Sequence, residues 1–259
     1  MMAMTNHATR INQNLLKNDR ERIDFLEREN LKIIQSSDYF TMSLDAILLA
    51  DFIRLPKRPF KYIDFCSGNG IIPMLLANRT QEHLEGIEIQ ADLVDMARRS
   101  LQLNGLDQQI DFYAMDLKEF QKQDHRMYDI ISCNPPYFLV EDSNAIHKLN
   151  SHAIARHEIH LKMVDWVEKA RQIMKDKGKL YIVHRPDRLD DLFELLLRNY
   201  FAVNRLKFIY PKNEARANMV LIEAIYRGGR HGVKVERPLI VYDDQGNYSP
   251  EMTAIYYGK

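Results

Sequence analysis

Tyr62-Ile63-Asp64-Phe65-Cys66-Ser67-Gly68-Asn69-Gly70 reads as a short strand running into a glycine-bearing turn, and the apolar run from Ile71 to Asn78 follows as a helix. Glycines at such a turn let the backbone approach a ligand at the helix N-terminus, where unpaired N–H groups point outward. Asp64 stands just ahead of the turn and would repel a pyrophosphate, so a dinucleotide reading is the weaker one. The spacing is also not Gly-x-Gly-x-x-Gly. An acid in this place welcomes a cationic ligand, such as one carrying an ammonium or a sulfonium.

Working outward, strand-like and helix-like runs alternate. Glu85 to Ile89 is a second strand, followed by a helix with Val94, Ala97 and Leu101 on one face. Ile110 to Met115 and Tyr128 to Cys133 are the third and fourth strands. Ile159, Met163, Trp166, Val167, Ala170, Ile173 and Met174 keep helical spacing, with Gly178 as the terminator before a fifth strand, Leu180 to Val183. Leu189, Leu192, Phe193, Leu196 and Tyr200 mark another helix. Leu206 to Tyr210 and Met219 to Tyr226 have no helix between them and should pair as an antiparallel hairpin at the sheet edge. The pattern predicts an α/β fold with a seven-stranded, mainly parallel sheet, and ligands of such sheets bind at the carboxyl edge.

The flanks read differently. Residues 1 to 18 are polar and without periodicity, and Arg20 to Asn30 reads as a charged helix, so 1–37 is assigned to an N-terminal tail and helix. Ser43 is a plausible N-cap for a buried helix from Leu44 to Ala50 that stops before Pro56. The main domain then spans 38–227. Residues 228–259, with Pro238 to Tyr242 and an Asp243-Asp244-Gln245-Gly246 turn, read as a small C-terminal β appendage.

Composition narrows the class. The chain has 259 residues, 46% of them hydrophobic, and a formal net charge of zero, which suits a globular domain with a sizeable core. No apolar run approaches the roughly 18 residues of a membrane span, and the first residues lack the apolar core of a signal peptide. Cys66 and Cys133 supply neither a disulfide framework nor metal-ligand spacing. A cytoplasmic protein without metal, monomeric or weakly dimeric, is the expectation. Charge is unevenly distributed: Arg198, Arg205, Lys207, Lys212, Arg216, Arg227, Arg230, Lys234 and Arg237 face only Glu214, Glu223 and Glu236 in that interval. Such a cluster is either a solvated face or the footprint of phosphate contacts, with Lys212 and Arg216 as candidate substrate-binding residues.

The fourth strand exits into Asn134-Pro135-Pro136-Tyr137. Each residue before a proline is held extended, and neither proline has an N–H, so the Asn134 amide and local carbonyls project as hydrogen-bond groups beside an aromatic ring. This arrangement suits a planar amine, with two N–H donors to hold and a flat face to stack. A buried strand ending in a proline-stopped turn is the plainer alternative.

Taken together, these residues resemble the class I S-adenosylmethionine-dependent methyltransferases, which share a Rossmann-like fold, and among them the amino-methylating group with an Asn-Pro-Pro-Tyr motif. More narrowly the chain is similar to the bacterial tRNA adenine-N6 methyltransferases that act on adenine 37 beside the anticodon of a valine tRNA. The matching residues are Phe40 to Asp45, Asp64 to Gly70, Gly86 to Gln90, Met115-Asp116, Asn134 to Tyr137, Ala155 to Glu158 and Asn218 to Glu223. The resemblance implies S-adenosylmethionine as cofactor and tRNA as partner. It implies that Asp64, Ser67, Gly68 and Gly70 cradle the methionine part, that Glu88 holds the ribose hydroxyls and Asp116 the adenine amino group. Asn134 and the Pro135 carbonyl would accept the two substrate N–H bonds, with Asn134 also bordering the cofactor. Tyr137 would stack on the base, assisted by Phe138. His157 is either an orienting residue or a structural histidine. Cys66 stands where the family has its first glycine, so the turn there is expected to be less extreme. A protein glutamine-N5 methyltransferase, another RNA amino-methyltransferase, or a cofactor-binding protein without catalysis would share part of this pattern.

Overall fold

The computed structural model describes residues 15–39, 43–121, 128–136 and 161–259. A central sheet is sandwiched between two helical layers. Its seven long strands are β3 (Tyr62–Phe65), β4 (Leu84–Glu88), β5 (Ile110–Ala114), β6 (Tyr128–Cys133), β7 (Met174–His184), β8 (Phe201–Tyr210) and β9 (Met219–Tyr226). They lie in the order β8-β9-β7-β6-β3-β4-β5, and only β9 runs against its neighbours. The expected edge hairpin is thus present, and the strand count holds for the long strands. Helices α1 (Leu44–Phe52), α2 (Ile71–Ala77) and α3 (Ala91–Asn104) cover one face with Tyr62, Ile130 and Tyr181. The opposite face carries α4 (Met163–Ile173) and α5 (Leu189–Arg198) over Ile63, Ile131 and Ile182. Every residue of β6 is buried, because both faces of a parallel strand are covered.

The N-terminal helix expected over Arg20 to Asn30 is not formed. The segment is instead an antiparallel hairpin of β1 (Glu21–Leu26) and β2 (Leu31–Ser36), with Ile23 opposite Ile34. Asn30 takes φ +53° in the turn, a conformation that asparagine tolerates better than most residues. The hairpin exists because α3 offers it a surface: Ile34 packs with Leu93 and Met96, and its N–H donates to Ser100 Oγ at 2.9 Å. Glu21 closes on Arg99 with two contacts of 2.7 Å. Periodicity over this charged stretch could not reveal this, since the partner lies 78 residues away.

Two further boundaries move. Helix α4 ends at Ile173, and Gly178 lies inside β7 next to Lys177, which adopts φ +66°, so the glycine does not terminate the helix. The segment after Gly228 extends the central sheet: β10 (Lys234–Val235) and β11 (Leu239–Ile240) pair in parallel with β8, and a helix unforeseen in the sequence, α6 (Pro250–Tyr257), buries Met252 and Ile255 in the core under α1.

Arg205 fastens this edge together. Only 4% exposed, it bonds Glu223 of β9 (3.2 Å), Glu236 of the C-terminal segment (2.8 Å) and the Phe52 carbonyl of α1 (2.8 Å), with its guanidinium 4.0 Å over the Phe52 ring. Burial pushes the Glu223 acid up, but bonds from Asn204 and Tyr181 and the charges of Lys179 and Arg205 outweigh it and hold the carboxyl below its ordinary range. Removing one partner strands a buried charge. Arg205→Ala should therefore lower stability by about 3–5 kcal/mol in urea unfolding, and in the parent protein this contribution should be present at neutral pH and lost as acid protonates Glu223.

Candidate active site

The site forms where β3, β4, β5 and β6 release the chain at one edge of the sheet. Parallel pairing sets Phe65 opposite both Ile87 and Cys133, so the turn after β3 lies between Glu88 and Asn134. Ser67 N–H donates to the Ile87 carbonyl at 2.9 Å, and Gly70 N–H returns to the Ser67 carbonyl at 2.9 Å. Gly70 adopts φ +86° as the N-cap of α2, and a Cβ there would lie 2.5 Å from Phe112, so no other residue fits without displacement. Gly68 also has positive φ, and a Cβ there would meet nothing within 4 Å, leaving an open face. Cys66 departs from expectation. It takes φ +55°, so the turn keeps the left-handed conformation that glycine would adopt freely. The cost, of order 1–2 kcal/mol for a residue with a Cβ, is borne by the surrounding bonds.

Two acidic side chains flank this turn in different surroundings. Asp64 is 0% exposed. Ser67 Oγ donates to its Oδ2 at 2.7 Å, Ser132 Oγ donates to its Oδ1, and Tyr62 Oη lies 2.5 Å behind Ser132. Burial pushes the Asp64 acid up to about 7, the two serine bonds pull against it, and nearby Glu88 adds to the rise. Glu88 is buried too, but its oxygens accept backbone N–H groups from Gly68 and Gln90, each at 3.0 Å. Each oxygen keeps a second lone pair, so the side chain is pre-aimed to accept hydroxyl donors. Asp116 follows β5 beside Glu88, whose carbonyl takes the Met115 N–H at 3.0 Å. One Asp116 oxygen caps the short 3₁₀ turn Leu117–Glu119 through Lys118 N–H at 2.8 Å. This turn role leaves its other oxygen 3.5 Å from Lys118 Nζ.

Asn134 and Pro136 are half-buried and Pro135 is buried, directly after β6. Tyr137, Phe138 and His157 lie outside the described residues. Cys133 is fully buried; burial pushes its thiol up, and contact with Cys66 adds to it. Among the described residues there is no cluster of metal-ligating side chains, and no helix is long and apolar enough to cross a membrane.

Strand direction sorts the basic cluster. Because β9 is antiparallel to both β7 and β8, β8 runs parallel to β6 and ends at the same edge as Asn134. Lys212 and Arg216 occupy the connection that follows, both exposed and making no ion pair among the described residues. Three strand spacings separate β8 from β6, about 14 Å. Other members are spent internally: Arg205 is buried, Lys207 pairs with Glu251, Arg227 with Asp176 and Arg198 with Glu194. The residues overlooked in the sequence are Ser132 and Tyr62. The only available signal was a hydroxyl inside the apolar run of β6, on the same side of the strand as Asp64.

The arrangement fits a ligand with a cationic group and vicinal hydroxyls: a buried carboxyl with no cationic partner among the described residues, an aimed glutamate and an open glycine turn. A model of the methyltransferase small domain matches residues 45–207. A tRNA1(Val) (adenine(37)-N6)-methyltransferase of Parabacteroides distasonis is 25% identical over 82% of this chain and 86% of its own length. One of the same name from Tolumonas auensis is 27% identical over the same shares. Among solved structures, a predicted O-methyltransferase from Agrobacterium tumefaciens superposes with a TM-score of 0.65 at 21% identity, covering 83% of this chain and 96% of that one. Geranyl diphosphate C-methyltransferase from Streptomyces coelicolor, solved with S-adenosyl-L-homocysteine, reaches 0.53 at 11% identity over 70% and 74%. With the model covering well over half its length, and the fold shared with such structures, this chain belongs to the methyltransferase small domain family.

Proposed function

We propose that this protein transfers a methyl group from S-adenosylmethionine to the exocyclic N6 amine of an adenine in tRNA, with adenine 37 beside the anticodon as the target. The observation that carries the reading is the placement of Asn134-Pro135-Pro136 one strand from the Asp64 to Gly70 turn, with exposed Lys212 and Arg216 on the same edge. The names of relatives along most of the chain support the same substrate.

The cofactor supplies an activated methyl on a sulfonium. Glu88 accepts the ribose hydroxyls, Asp116 borders the adenine, and the glycine turn admits the methionine part. Asn134 Oδ1 and the Pro135 carbonyl each accept one N–H of the target amine. This holds the lone pair out of conjugation with the ring and aims it toward the methyl. Tyr137 supplies a stacking face, a contribution of about 1–3 kcal/mol per base in comparable sites. Positioning accounts for most of the acceleration, since the leaving group is already good. The exposed cations of the β8–β9 connection meet phosphates, a need that a glutamine side chain in a protein substrate does not create.

Four measurements check this reading. Modified nucleosides in tRNA from cells lacking the protein should lose one N6-methyladenosine, restored by the parent gene. Asn134→Ala should lower kcat and kcat/KM together by about a hundredfold or more while cofactor affinity holds, the mark of an interaction made in the transition state; wild-type single-turnover rates in this variant would remove the motif from the chemistry. Glu88→Ala, by contrast, should weaken cofactor binding in calorimetry. Reversing Lys212 and Arg216 to Glu should weaken tRNA binding and flatten its salt dependence at unchanged cofactor affinity, and unchanged RNA affinity would make this edge an ordinary solvated face.

A further inference from the structure

Helix α4 packs Trp166, Val167, Ala170 and Ile173 into the core, and Lys169 is buried in the same stripe, between Trp166 and Ile173 at helical spacing. A lysine in that place has to find acceptors, because a buried ammonium without them is costly. At 7% exposed, Lys169 finds them on the stretch that follows β5: its Nζ donates to the Lys118 carbonyl at 3.0 Å and to the Phe120 carbonyl at 2.8 Å. Both carbonyls lie at the C-terminal end of the 3₁₀ turn Leu117–Glu119. The Asp116 and Leu117 carbonyls are used within the turn, by Glu119 N–H at 3.0 Å and Phe120 N–H at 3.2 Å. The later ones have no further turn of helix to bond, and the ammonium meets them. Leu117 and Phe120 share the apolar cluster of Trp166 and Val167, so apolar packing and the lysine dock the turn on α4 together. The residue that opens this turn is Asp116, its N-cap. Burial pulls the Lys169 pKa below the ordinary lysine value, and the charge of Asp116 pulls it back up.

We propose that Lys169 is a positioning residue for the adenine end of the cofactor: by holding the far end of the turn it fixes where Asp116 stands, and so sets how strictly the site demands an amino group on the purine. The inference rests on the S-adenosylmethionine reading of the site, with Asp116 as acceptor of the adenine amino group. The fastening of Asp116 by its own side chain is local. One oxygen takes the Lys118 N–H at 2.8 Å, the other lies 3.5 Å from Lys118 Nζ, and the residue is half-buried. A carboxylate tells an N–H from a carbonyl on the purine edge only when it is held in line with that edge, because hydrogen bonds weaken steeply off axis. Lys169 supplies this constraint from behind, tying the turn to a helix of the core. Removing the ammonium takes a donor from two carbonyls and frees the turn to shift. Glu88 and the glycine turn stay in place, since Gly68 N–H bonds Glu88 and Ser67 N–H bonds Ile87 independently of Lys169. Lys169 thus acts through Asp116 and touches no reacting atom.

Calorimetry on the full chain tests this by comparing S-adenosylhomocysteine with S-inosylhomocysteine, which carries an oxo group in place of the adenine amino group. The parent protein should prefer the amino ligand about tenfold or more, the difference that a bond to a charged acceptor makes. Lys169→Met keeps the length of the side chain and removes the ammonium. It should weaken S-adenosylhomocysteine about tenfold and S-inosylhomocysteine far less, so that the preference largely disappears. Asp116→Ala should lose the same preference, and the double variant should lose no more of it than either single one, since both changes act on one contact. Lys169→Gln keeps one donor and should retain part of the preference; it carries the test if the Met variant does not fold. An equal loss for both ligands in the Lys169 variants, with the preference intact, would overturn the positioning role and leave the cofactor reading standing. A parent protein that binds both ligands alike would overturn the adenine role of Asp116 and this inference with it. One that binds neither would overturn the cofactor reading as well.

Discussion

Parallel pairing of β3 with β6 brings Asp64 level with Ser132 and Phe65 level with Cys133, and the rest of the site hangs from that register. On one face the two strands are joined by the Tyr62, Ser132 and Asp64 bonds; on the other, Ile63, Phe65 and Ile131 pack into the core under α4 and α5. A slip of one residue would turn Asp64 toward the apolar layer and Ile63 toward the hydroxyls, so both faces resist it. The glycine turn and the Asn134 motif are consequently held at a fixed separation before any ligand arrives, which is the preorganisation that methyl transfer by positioning requires.

The same sheet divides the charges by function. An Arg or Lys placed at mid-strand on β8 is buried and becomes structural, as Arg205 does with Glu223 and Glu236. A Lys or Arg in the loop after β8 is delivered to the carboxyl edge and stays exposed, as Lys212 and Arg216 do. One basic interval thus serves two purposes, and only strand direction and burial separate them. The Arg205 assembly also anchors the C-terminal segment, because Glu236 lies between β10 and β11 and α6 closes over α1.

Local conformation yields to this architecture at two places. Cys66 holds a left-handed backbone because Ser67 N–H is bound by Ile87 and Ser67 Oγ by Asp64, leaving the residue before them no relaxed alternative. The charged stretch before Asn30 forms a hairpin because Ser100, Arg99 and Asn104 of α3 supply partners for β1 and β2 that a lone helix would forgo.

The amino-acid sequence by itself determined the alternation of strands and helices, the edge hairpin, the glycine turn and the proline-stiffened motif. Each of these is written in residues that are neighbours or one helical turn apart, where periodicity and the fixed φ of proline act directly. It did not determine which hydroxyls surround Asp64, which cations are buried, or that the N-terminal segment pairs as strands. Those outcomes come from contacts between residues far apart in the chain, 68 positions for Ser132 and Asp64 and 78 for Glu21 and Arg99. Only the tertiary structure decided them, because the free energy of a hydrogen bond or ion pair depends on burial and direction that no local pattern encodes.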